Sequence, residues 1–142
     1  MISREILPDF DERLFELTRK LRLEAFEAAA KHNRNLIFTY VYTGDESEDD
    51  FVYATKKIIE SHGGNVHFVQ FTAPLGVLLS RVSQESRNQF RKIMDKDQLE
   101  KQLTSYDRDV SVPIDDVLVI DTSRLSPVES AQKIVGHFKL AS

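Results

Sequence analysis

Arg87 and Arg91 stand four residues apart in a polar, helix-prone stretch, a spacing that sets two guanidiniums on one helix face. Two such groups can converge on one anion, because each planar fork donates in pairs to phosphate or carboxylate oxygens. Glu85 and Asp95 flank them, and a solvated face of surface ion pairs is the competing reading. Asp45 follows an apolar run, where a carboxylate could hold Mg2+ through water, and Glu46, Glu48, Asp49 and Asp50 crowd the next turn. A helix N-terminus attracts acids through its dipole with no ligand involved, and that plainer explanation is preferred. Asp121-Thr122-Ser123 closes another apolar run. A phosphatase would carry D-x-D there, and a receiver domain an acidic cluster with a Lys. Neither is in place, so Asp121 is read as shaping a turn. His32, His62, His67 and His137 are too scattered for a metal site, and His62 and His137 suit helix C-terminal ends. No Ser-His-Asp set has a recognisable local context.

The elements that must position these groups alternate. A helix is expected over Asp9–His32, with Asp9 and Glu12 as a capping box and Leu14, Leu17, Leu21, Ala25 and Ala28 on one face. The run Asn35–Tyr42 is β-branched and aromatic without clean alternation, as in a strand covered on both faces. A helix over Glu46–His62 follows, stopped by Gly63-Gly64. Asn65–Phe71 reads as a second strand. Thr72 and Pro74 open a helix with Leu75, Leu78, Leu79 and Val82 as its stripe. Gln84–Arg108 is helix-prone, and Leu99, Leu103 and Tyr106 give its second half an apolar face. Asp115–Asp121 reads as a third strand, and Ser126-Pro-Val-Glu129 as a capping box opening a last helix. Such alternation predicts an α/β fold, a parallel sheet sandwiched by helices and built from βαβ units. Chemistry in such sheets gathers at the carboxyl ends of the strands: Thr43-Gly44-Asp45, Thr72-Ala73 and Asp121-Thr122-Ser123.

With 142 residues, and no repeat or linker, the chain is expected to form one domain, 1–142. Its 41% hydrophobic and 30% charged residues are an ordinary globular balance. The absence of Cys excludes disulfides and thiolate metal sites and fits a cytoplasmic setting. No apolar run is long enough for a membrane span, and the stretch Met1–Phe10 lacks the pattern of a signal peptide. A net charge of −4 argues against general nucleic-acid binding.

Four stretches, in this order, carry a resemblance to small P-loop kinases: the shikimate and gluconate kinases, nucleotide kinases and zeta-toxin-like phosphotransferases. Ile2-Ser-Arg-Glu-Ile6 resembles the end of the family's second strand, and Asn35–Tyr42 its third. Val66–Arg81 is similar to the fourth strand with the helix leading into the lid, and Val117–Ile134 to the last strand with the helix behind the adenine pocket. The resemblance implies a P-loop NTPase-like fold, a lid-like helical segment over 83–110, and transfer of the ATP γ-phosphoryl group to a small-molecule acceptor with Mg2+. It also assigns roles. Arg81, Arg87 and Arg91 would stabilise charge on the transferred group, Arg124 would stack on adenine, and Ser3 and Arg4 would face the acceptor.

One departure governs what the chain can do. No G-x-x-x-x-G-K-[ST] occurs, the five glycines being Gly44, Gly63, Gly64, Gly76 and Gly136. That loop cradles the phosphates, and its Lys and hydroxyl serve the γ-phosphate and Mg2+. The resemblance therefore implies a kinase-like domain without its first βα unit, inactive as this chain alone and either truncated or naturally short. The missing strand would lie between those of Asn35 and Val66, so its absence would force them to pair or leave an edge for another chain. A non-catalytic module that homodimerises over such an edge is the alternative. A flavodoxin-like fold with its ligand over Thr43–Asp45 and Thr72-Ala73 is the third.

Overall fold

The computed structural model describes residues 12–82, 97, 100, 101 and 110–140. Among these residues the fold is mixed α/β, with four helices and a two-stranded parallel sheet. The chain divides into two compact units: Met1–Val41 with Glu46–Val66, and Tyr42–Asp45 with His67–Ser142.

The first unit contains helices α1 (Glu12–Lys31) and α2 (Glu46–Ser61), which pack on each other. The Phe26 and Phe51 rings meet 6.2 Å apart, and Phe26, Phe51, Val52 and Thr55 are buried. Polar links frame it. Arg19 reaches Ser47 at 2.6 Å and Glu48 at 3.0 Å, and His62 lies 3.1 Å from Glu27. Asn33 ends α1 in the left-handed conformation, a role in which Asn is second only to Gly. Gly63 ends α2 at φ +78°, and the Gly64 N–H closes the turn on the Ile59 carbonyl at 3.0 Å. A Cβ on Gly64 would meet Ile59 Cγ2 at 2.7 Å, so both glycines of the expected stop are required.

Residues 35–41 depart from expectation. They form neither helix nor strand and belong to no ladder among the described residues. Nor are they covered on both faces. The Phe38 ring meets Phe26 edge-on at 5.1 Å and has the Arg22 guanidinium 5.2 Å above it, and Tyr40 meets Phe51 at 5.6 Å. Ile37, by contrast, is 94% exposed and Val41 74%. Phe38 and Tyr40 thus touch the helices and Ile37 and Val41 do not, although Phe38 is itself 40% exposed and Leu36 56%. Strand pairing needs a neighbour to take the backbone hydrogen bonds, and a segment's own residues do not reveal whether one is there.

The second unit contains β1 (Phe68–Thr72), α3 (Leu75–Val82), β2 (Val117–Asp121) and α4 (Pro127–Phe138). β1 and β2 run parallel, from Phe68 opposite Val117 to Thr72 opposite Asp121. Leu118 and Ile120 are buried, as is Ser130 on α4, which packs on β2. Val119 and Phe71 are half exposed, so the pair is not covered evenly on both faces as its apolar runs suggest. The α4 start is as expected: Ser126 accepts from the Glu129 N–H, Glu129 accepts from the Ser126 N–H, and Pro127 fills the first turn. Expected features at Asp9, and most of Gln84–Arg108, lie outside the described residues.

Candidate functional site

The carboxyl ends of β1 and β2 meet at one loop, 121–124. Thr122 carries the ladder one step further, its N–H donating to the Thr72 carbonyl at 2.9 Å and its hydroxyl to the same oxygen at 3.1 Å. Arg81, in the last turn of α3, grips Thr122 from the side. One terminal nitrogen donates to the hydroxyl at 2.8 Å and the other to the carbonyl at 2.6 Å. This link ties the end of the helix that follows β1 to the end of β2.

Asp121 is turned onto its own loop. One carboxylate oxygen accepts from the Ser123 hydroxyl at 2.6 Å and from the Ser123 N–H at 2.9 Å. The other lies 3.3 Å from Arg124 Nε. The Ser123 hydroxyl, then its N–H, hold the Asp121 carboxyl below the usual carboxylate range, and the charges of Arg124 and Arg81 add to this. A carboxylate so held is a weak base, and its attachment to Ser123 fits the turn-shaping role read from the sequence.

The arrangement is cationic and acceptor-poor toward a ligand. Arg81 has five N–H groups and Thr122 takes two, leaving donors for an anion. The Arg124 side chain is 84% exposed, which leaves a planar face for a flat ring. The loop's own amides are engaged within it: Ser123 N–H on the Asp121 side chain and Arg124 N–H on the Asp121 carbonyl at 3.2 Å. These residues therefore offer an exposed guanidinium face and N–H donors, while the loop amides named above are already engaged. Among the described residues no group of three or more His, Asp or Glu side chains could hold a metal ion.

The third expected strand end is built differently. Gly44 has φ +79°, and a Cβ there would meet Val110 Cγ1 at 2.5 Å, so no other residue fits. Asp45 accepts a hydrogen bond from the Thr43 hydroxyl at 2.6 Å. Gln70 of β1 was not foreseen. Its amide donates to the Val110 carbonyl at 2.8 Å and accepts from the Val112 N–H at 3.3 Å, fastening the segment before β2 to β1. A polar amide amid Phe68-Val-Gln-Phe-Thr72 was the only signal for it.

Of the site residues expected from sequence, Arg81 binds Thr122 of loop 121–124, and Arg124, in the same loop, lies beside Asp121. Arg87, Arg91, Ser3 and Arg4 lie outside the described residues. No described helix is long and apolar enough to cross a membrane. Comparisons with protein families, with characterised proteins and with solved structures find no match to this chain.

Proposed function

We propose that this chain is a P-loop NTPase-like, small-molecule kinase-like domain that binds ATP at the carboxyl ends of β1 and β2 and does not transfer phosphate as this chain alone. The observation that carries it is the anchoring of Arg81 on Thr122 in the loop that also holds the exposed Arg124. The parallel pairing of β1 with β2 supports it, since the resemblance sets the last two strands side by side. So does α4, which packs on β2 where the helix behind the adenine pocket belongs. Arg124 flanks adenine, and Arg81 with Arg87 and Arg91 offsets phosphoryl charge. Ser3 and Arg4 face a small-molecule acceptor, Mg2+ enters with the nucleotide, and the setting is cytoplasmic. Transfer does not follow, because phosphoryl transfer is nearly all positioning and electrostatics and the 142 residues hold no cradling loop.

Calorimetric titration with ATP tests this. Saturable binding is expected, about tenfold weaker in Arg124→Ala through loss of the stacked guanidinium, with no ATP turnover above buffer. Absence of heat with both ATP and ADP would overturn it.

A second reading, a non-catalytic module acting by self-association, is favoured by the bare apolar residues Ile37 and Val41. A mass in solution that stays monomeric at every concentration would count against it.

A further inference from the structure

Residues 36–41 present two unlike faces. Phe38 and Tyr40 lie against the rings of α1 and α2, while Ile37 and Val41 are 94% and 74% exposed. Among the described residues no backbone group of 36–41 joins a ladder. An exposed apolar segment outside any helix or ladder is a template for strand addition. We propose that its occupant is the same segment of a second copy, paired antiparallel about a two-fold axis through Thr39. This rests on the self-association reading above and names the surface it uses.

Two features select that partner and register. The first is charge. His32 and Arg34 precede the segment, and Glu46 and Asp50 follow it. Antiparallel pairing lays the basic end of one copy beside the acidic end of the other, whereas parallel pairing sets like against like. The second is side-chain matching. Centred on Thr39, the pairing sets Ile37 opposite Val41 of the second copy, Phe38 opposite Tyr40, and Thr39 opposite its own mate. Branched meets branched, ring meets ring and hydroxyl meets hydroxyl, the pairs that stabilise antiparallel ladders. A centre one residue earlier sets Ile37 against Thr39 and Val41 against Asn35, so the bare apolar pair is lost. A two-fold contact also closes on itself and stops at a dimer.

The chain has no Cys, so a single introduced thiol reports the axis. In Thr39→Cys the two sulfurs face each other across the pair, within reach of a disulfide. Sedimentation of the full chain should show a dimer. Mild oxidation should cross-link Thr39→Cys about tenfold faster than a control thiol at exposed Val128 on α4. Ile37→Lys should weaken dimerisation at least about tenfold, a charge now facing the apolar mate, with unchanged helical circular dichroism. A dimer insensitive to Ile37→Lys and without the Thr39→Cys cross-link would overturn this surface while leaving self-association standing. A monomer at all concentrations would overturn both.

Discussion

Arg81 and Arg124 approach the same loop with opposite commitments. Arg81 is half-buried and holds Thr122 through two hydrogen bonds, whereas Arg124 is in solvent with one 3.3 Å contact to Asp121. Arg81→Ala is therefore expected to cost about 2 kcal/mol in urea unfolding, and Arg124→Ala to leave the midpoint within error. Equal effects would mean that the Arg81 link does not form in solution. The position of Arg81 was legible in the sequence, but its partner was not: Thr122 reads as one more turn residue until β2 is laid beside β1. A second residue-scale expectation concerns Tyr40. Burial, then the charges of Glu48 and Asp49, push its hydroxyl up to about 12, and the oxygen has no hydrogen-bond partner. A folded value above the ordinary ~10 means that stability is intact below pH ~10 and falls as pH climbs toward 12. Absorbance titration should show a late tyrosine ionisation that is lost in Tyr40→Phe. A titration curve left unchanged by Tyr40→Phe above pH ~10 would contradict the buried placement.

Elements whose ends are written in local chemistry were the most legible. Ser126-Pro-Val-Glu129 forms the reciprocal cap it spells out, and Gly63-Gly64 stops α2 by the required positive φ and the close approach to Ile59. Ser126→Ala should lower stability by about 1 kcal/mol, read from the urea midpoint, and Ser126→Asp should restore most of it. If Ser126→Ala is silent, the cap is not contributing. The segment 35–42 was the least legible. Its composition says strand, yet strand formation is settled by a partner, and Leu36–Val41 alone cannot say whether one is present. Gln70 was missed for a related reason, because its partners at Val110 and Val112 lie far along the chain and no spacing rule links them.

At the scale of the molecule, the ordering of strands and helices foretold an α/β fold with a parallel sheet, and among the described residues two of the three expected strands, β1 and β2, pair in parallel. A net charge of −4 means that the proposed nucleotide would have to be drawn by local groups, not by the overall field. Loop 121–124, with two guanidiniums against one carboxylate, is such a locality. The most direct measurement is a map of backbone amide shifts during titration of the full chain with ATP. Saturable changes should centre on Thr72, Ala73 and Asp121–Arg124 and shrink in Arg124→Ala. No change at these amides, or changes confined to 36–41, would contradict a nucleotide site at the carboxyl ends of the strands.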